Sequence, residues 1–290
     1  MLRLLKFITS HPLNKDNKIG AVMRFAKWQL NTILNGHPIV YKFTENSRLI
    51  IVKGMAGATQ NLYCGLHEFY DMGFLLHLLR PSDLFVDIGA NVGSFTILAS
   101  AEIGADAISI EPVPSTFQHL KNNISVNNIH DRVESLNLGL GNRTGHIKFT
   151  KSHDTMNHVA SGDEEGTIDV EINTLDNVLK GRQPILLKID VEGFETEVLK
   201  GAEKALIQKE LKAIIIELNG SGQRYGYDEA KIYDKLLDLG FMSYQYDPFT
   251  RKLIEINTSG AHNTIFIRDL NFVSDRLMKA RRIVVRDKEI

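Results

Sequence analysis

The stretch "LFVDIGANVGSFTILAS", residues 84–100, decides how this chain is read. An apolar run ends in Asp87, glycines follow at 89 and 93, and "SFTILAS" then takes up helical spacing. That is a strand, a tight turn and a helix, with glycines where the backbone must approach something closely. The turn has G-x-x-x-G spacing and lacks the middle glycine that lets a pyrophosphate rest against the backbone of a dinucleotide fold. Asn91 in that region speaks against a nicotinamide or flavin dinucleotide. The phosphate-cradling G-x-x-x-x-G-K-[ST] pattern is not there either.

Working outward, strand-like runs "DLFVDI", "AISIEP", "RVESLNLG", "PILLKID" and "KAIIIELN" alternate with helical ones such as "STFQHLKNNISVN" and "DEAKIYDKLLDLG". Continuously apolar strands suit a parallel sheet covered on both faces, so the pattern predicts a doubly wound α/β fold. Residues 142–173 break the rhythm with polar sequence around "KSHDTMNHVASGDEEG" and a strand-like "TIDVEIN". An insertion there overhangs the carboxyl ends of the strands, where open α/β sheets bind ligands. Before the main domain, residues 19–34 read as a helix stopped at Asn35-Gly36, "IVYKF" and "RLIIVKG" as a hairpin, and residues 66–80 as a helix stopped by Pro81. The expected organisation is an extension over 1–62, a main domain over 63–268 and a basic helix over 269–290.

Composition narrows the function. Of 290 residues 43% are hydrophobic and 24% charged, ordinary values for a globular protein. Lys plus Arg (34) nearly balance Asp plus Glu (35), so no overall basic field collects nucleic acid. Cys64 is the only cysteine, which excludes an intrachain disulfide and a cysteine-based zinc site and makes the cytoplasm the expected location. No run reaches the ~18 apolar residues of a membrane span. The first nine residues read either as a packed terminal helix or as an interfacial one. The basic "RLMKARRIVVRDK" reads as a solvated helix, or as one that touches an acidic lipid or glycan.

The acids around the glycine turn point to a cofactor. Asp87 ends its strand where it would repel a phosphate and attract a cation. Glu111, eighteen positions after Gly93 at the end of "ISIE", stands where a carboxylate accepts from both ribose hydroxyls. A nucleoside with a cationic tail, S-adenosylmethionine, meets both, and its carboxylate can use backbone N–H groups near Val92 and Gly93. Taken singly, each residue also has a plain structural role as a turn glycine or a helix cap.

At this point the sequence resembles the FkbM-type S-adenosylmethionine-dependent methyltransferases, through "FVDIGANVGSFT", "EPVPSTFQHLKNNI", "NLGLGNRTG" and "LLKIDVEGFETEVLKGA", over about residues 62–268. The resemblance implies a Rossmann-like class I methyltransferase fold whose last strand is antiparallel, and methyl transfer to a hydroxyl. It further implies that Asp87, Gly89, Asn91, Gly93 and Glu111 line the cofactor site. Gly139 and Leu140 match the segment passing the adenine, although Asn142 stands where an acid is frequent. Glu68 matches a recurring glutamate that either closes over the methionine end or pairs on the helix surface.

"LLKIDVEGFETEVLKG" places Lys188, Asp190 and Glu192 at the end of the fourth strand of the domain, facing the methyl in that fold. Lys188 in an apolar strand calls for a carboxylate partner, Asp190 or Glu192. An alcohol becomes a nucleophile once its proton is taken or hydrogen-bonded away, so Asp190 first and Glu192 second are the expected proton-handling residues. His158, and His153 with it, are further candidates from the polar insertion because a histidine titrates near neutrality. Glu217 adds a third acid that with Asp190 offers oxygens to magnesium, but spacing does not identify a metal site and none is predicted. Phe194 and Val198 read as the core face of a short helix, and Tyr225 and Tyr227 either as packing or as a platform for a sugar ring.

The leading expectation is an O-methyltransferase acting on a carbohydrate, glycolipid or secondary-metabolite hydroxyl, with the sugar drawn from the resemblance. Its rivals are an N- or RNA methyltransferase, disfavoured by the missing N/D-P-P-Y tetrapeptide, and a scaffold that binds cofactor without catalysis.

Overall fold

The computed structural model describes residues 2–150, 157–160, 164, 166–259 and 263–290. Eight strands form the main sheet: β1 (Leu84–Ile88), β2 (Asp106–Ile110), β3 (Val133–Leu136), β4 (Leu186–Ile189), β5 (Ala213–Glu217), β6 (Met242–Asp247), β7 (Lys252–Glu255) and β8 (Asn263–Ile267). Their spatial order is β7-β6-β8-β5-β4-β1-β2-β3. The pairs from β5 to β3 are parallel, and β8 enters antiparallel between β5 and β6. This is the doubly wound class I Rossmann-like order with its antiparallel last strand. The order reverses at β1 and β4, so their carboxyl ends open a crevice at the switch point.

Alternation along these strands divides the core. Val86, Ile88, Ile108, Leu187, Ile189, Ile214 and Ile216 pack on one face with Val198, Leu206 and Leu236. Phe85, Ala107, Leu186, Ala213 and Ile215 pack on the other. On that second face Ser109, Asp87 and Lys188 stand side by side in register across β2, β1 and β4. A polar row inside apolar strands is costly unless its members satisfy one another or a ligand, so it marks where the core gives way to a site.

The first 62 residues belong to this second face. Helices α1 (Leu2–Ser10), α2 (Lys18–Leu34) and α3 (Ala56–Cys64) and the antiparallel hairpin Ile39–Lys42/Arg48–Ile51 precede α4 (Phe69–Leu78), and the hairpin packs on α3 and on the helix Pro114–Val126. Ile8, Trp28, Phe43, Leu49 and Cys64 share one continuous cluster with Phe74, Phe85 and Leu98. Each such burial contributes about 1.5–3 kcal/mol, which ties the extension to the sheet. The hairpin matches its expectation, but the helix expected over 66–80 begins only at Phe69, after a turn at Gly65 with φ +89°. Helix α3, whose "AGATQNLYC" carries little periodicity, has no counterpart in the sequence reading.

The C-terminus also departs from expectation. The helix expected over 269–290 ends at Lys279, and Val284–Val285 pairs with Lys288–Glu289 in a small hairpin. Ile283, Val285 and Ile290 are buried in the shared cluster. Arg286 donates to Asn14 Oδ1 at 2.9 Å and to the Leu62 carbonyl at 2.5 Å, clasping the N-terminal helices. Three apolar residues in eight bury as alternating strand positions, a period that the basic composition hides.

Candidate active site

The turn after β1 leads into helix α5 (Ser94–Ile97), which continues through Leu98–Ile103 as π-helical turns. Gly89 has φ +79°, and a Cβ there would lie 1.8 Å from the Asp190 carbonyl oxygen. What the backbone approaches so closely at this turn is therefore the neighbouring loop after β4. Gly93, at φ +86°, has no room beside Leu120, whose Cδ1 would lie 2.4 Å from an added Cβ. These glycines let two strand ends and a helix start converge on one cavity of about 250 Å³.

One end of the cavity holds Asp87 and Glu111. Asp87 is 1% exposed. Its Oδ2 accepts from the Thr96 backbone N–H at 3.1 Å and from Thr96 Oγ1 at 2.7 Å. Its Oδ1 is buried with no hydrogen-bond partner among the described residues. Burial raises its pKa, partly offset by Lys188 and Thr96. Glu111 Oε2 accepts from Asn91 N–H at 3.0 Å and Oε1 from Val113 N–H at 2.9 Å. Burial nevertheless lifts Glu111 to about 7. Asn91, whose N–H makes that bond, adopts the left-handed φ of +51°. The expected residues Gly89, Gly139 and Leu140 line the same cavity, together with Leu138. Gly93 does not line it; its role is the packing just described.

The other end is acidic. Lys188, 3% exposed, places Nζ 2.8 Å from Asp190 Oδ2 and 4.8 Å from the centre of the Phe95 ring. Burial disfavours its charge, but Asp190, Glu68 and Asp87 more than compensate, so the ammonium is held well above the ordinary lysine value. Oxygens of Asp190, Glu192 and Glu217 lie within 4.8 Å of one another. Burial, then Asp190, then Glu192, raise Glu217 to about 9. Burial, then Asp190 and Glu195, raise Glu192 to about 7. Such an all-oxygen set is also the donor type that magnesium takes, the alternative read from Asp190 and Glu217 in the sequence.

Glu192 stands at φ +53°, a conformation that costs a non-glycine residue and is kept only where its surroundings impose it. They do so here: Glu195 Oε1 accepts from the N–H groups of Val191 at 3.1 Å and Gly193 at 3.2 Å, pinning the turn. Glu68 lies at the rim, accepting from Asn263 Nδ2 at 3.2 Å. Asn263 donates equally to Asp71, whose carboxyl burial and Glu68 raise to about 7.

The structure differs from two sequence expectations. His158 does not line the cavity: the segment pairs with Phe149 through Val159, and alternation presents Asn157 and Val159 instead. His158 faces Glu164, at 3.3 Å. Phe194, expected in the core, lines the cavity and meets Tyr225 edge-on at 5.6 Å, whereas Val198 is buried as expected. Tyr225 is packing, its hydroxyl donating to the Val159 carbonyl at 2.7 Å. His153 lies outside the described residues. The sequence reading missed Thr96 and Glu195, and also Gly57, Gln60 and His67, which α3 and the turn after it bring to the wall. A threonine three residues into a helix carries no mark of its partner nine residues earlier. Glu195, an acid opening a helix after a glycine turn, did carry a signal.

The Methyltransferase FkbM domain profile matches residues 87–243, more than half of the chain. The chain belongs to the FkbM methyltransferase family. It is 30% identical over 148 residues to the hexuronic acid methyltransferase AglP of Haloferax volcanii, covering 50% of this chain and 59% of that protein. It is 27% identical over 196 residues to methyltransferase sdnD of Sordaria araneosa, covering 55% of this chain and 75% of the other. The FkbM chain thus spans less than two thirds of AglP. Among solved structures it is similar to SMU.1697c, a methyltransferase from Streptococcus mutans in complex with SAH, at a TM-score of 0.42 and 13% identity over 68% of this chain and 95% of that one.

Proposed function

We propose that this FkbM methyltransferase uses S-adenosylmethionine to methylate a hydroxyl oxygen of a carbohydrate, glycolipid or secondary metabolite. The observation that carries the proposal is one cavity lined by the nucleoside-type carboxylates Asp87 and Glu111 and by the cluster of Asp190, Glu192 and Glu217. The residues fit the cofactor. The orphaned Oδ1 of Asp87 asks for a donor, which the ammonium of a methionine tail supplies, and the free lone pairs of Glu111 suit a ribose diol. Bound there, S-adenosylmethionine supplies an electrophilic methyl on a sulfonium.

The chain's own residues divide the remaining work. Lys188 commits Asp190 to an ion pair, so Asp190 serves to anchor and orient. Glu192, raised to about 7, is matched to accepting the proton of an acceptor hydroxyl near neutral pH. Phe194 offers an apolar ring edge against which a sugar face can lie. The sugar is supported by the relative named for hexuronic acid methylation. Nucleic acid is not proposed as the acceptor, because the chain carries a net charge of −1.

Calorimetric titration with S-adenosylmethionine and, separately, NAD tests the cofactor. Saturable binding of the first alone is expected; its absence with folded protein would overturn the cofactor reading and the residue roles built on it. Transfer of labelled methyl to hydroxylated sugars, uronic acids included, then tests the acceptor.

A further inference from the structure

Helix α2 has two apolar faces, and the protein uses one. Ala21 and Trp28 are buried against the core. On the opposite side Ile19, Met23, Leu30, Ile33 and Leu34 are 59–78% exposed. At 3.6 residues per turn these positions, with Val22, form one stripe about 120° wide. A contiguous exposed stripe of this kind marks a partner rather than ordinary surface.

Charge says which partner. Residues 1–53 carry nine lysines and arginines against two acids, net +7, while the rest of the chain carries 25 against 33, net −8. Lys18 and Lys27, both exposed, border the stripe on either side. Helix α1 packs beside α2 and adds exposed Leu2 and Phe7 with Arg3 and Lys6. A second copy of the chain would bring two such cationic regions together, which like charge opposes. No described helix is long and apolar enough to cross a membrane.

We propose that α2 docks in the plane of an anionic lipid surface, its apolar stripe at the acyl boundary and its lysines among the headgroups. Helix α2 packs on α3, which gives Gly57 and Gln60 to the cavity wall, so docking sets the cavity beside the bilayer. The proposal stands independently of the methyl-transfer reading.

The test is co-sedimentation of the full chain with vesicles of phosphatidylcholine plus phosphatidylglycerol, and of phosphatidylcholine alone. Binding to the anionic vesicles is expected, weakened by salt and at least about tenfold by the double variant Leu30→Glu, Ile33→Glu. Both side chains are exposed, so thermal unfolding of the double variant should match the parent. Absence of binding by folded protein, equal binding to both vesicles, or undiminished binding of the double variant would overturn the proposal. So would a dimer that the double variant dissolves, which would make the stripe an interface between copies.

Discussion

The two ends of the cavity are built on opposite principles. At the glycine turn, both oxygens of Glu111 and one of Asp87 are held by backbone or threonine donors, so the groups are fixed before any ligand arrives. At the end of β4, three acids crowd one buried ammonium, and burial first, then repulsion among the acids, raises proton affinity at Glu192 and Glu217. Satisfied groups define where a ligand sits and change little as it binds. Glu111 is raised to about 7 as well, but both its oxygens already accept from backbone N–H groups; Glu192, with like charges beside it, is the acid placed to exchange a proton with a hydroxyl.

The contrast breaks first at Glu192. Glu192→Gln is expected to lower kcat about 10²–10⁴-fold while leaving S-adenosylmethionine affinity unchanged in calorimetry. The pH–rate profile gives the sign: a proton acceptor must be ionised, so turnover of the parent should fall as pH drops below about 7. A variant that loses cofactor binding and turnover together would show that the ends are not separate. Asp87→Asn is the mirror image, expected to weaken S-adenosylmethionine binding about ten- to a hundredfold, with turnover at saturation much less affected.

How much of this was legible from the sequence follows the same division. The nucleoside end depends on a local run, so the strand–turn–helix pattern alone puts Asp87 and Glu111 at adjacent strand ends, whereas Asn91 enters the candidate site only through the family resemblance. Asp190 and Glu192 sit on a comparable local run, "KIDVEG", and were also legible. Their ranking was not, because which acid Lys188 takes depends on side-chain direction at a strand end. His158 was misplaced for a related reason: composition marks a polar loop, but which of two adjacent residues faces inward is decided by a single bridge to Phe149. The α3 wall and the C-terminal clasp were missed because their sequences mimic other things, a featureless linker in one case and a basic helix in the other.

The ion pair at the acidic end gives a smaller effect. Asp190→Asn leaves the buried Lys188 ammonium without its hydrogen-bonded carboxylate partner, so unfolding free energy should drop by about 1–3 kcal/mol. Pairing it with Lys188→Met should recover part of that loss, measured as a double-mutant cycle in urea. Simple additivity of the two changes would mean that the pair does not couple and that Asp190 is free for proton transfer after all.

Glu217 gives the sharpest sign. Its carboxyl is raised from the ordinary 4.5 to about 9 in the folded chain. Folding therefore favours its protonated form, a contribution fully present below about pH 4.5 and lost as pH climbs through about 9. Glu217→Gln is neutral at every pH and escapes that loss. Its Tm should match the parent near pH 4.5 and exceed it by a few degrees near pH 9. If the variant instead unfolds earlier at alkaline pH, the Glu217 carboxylate is stabilised there as an ion, by Lys188 or by a bound cation, and the crowding that distinguishes the acidic end does not exist in solution.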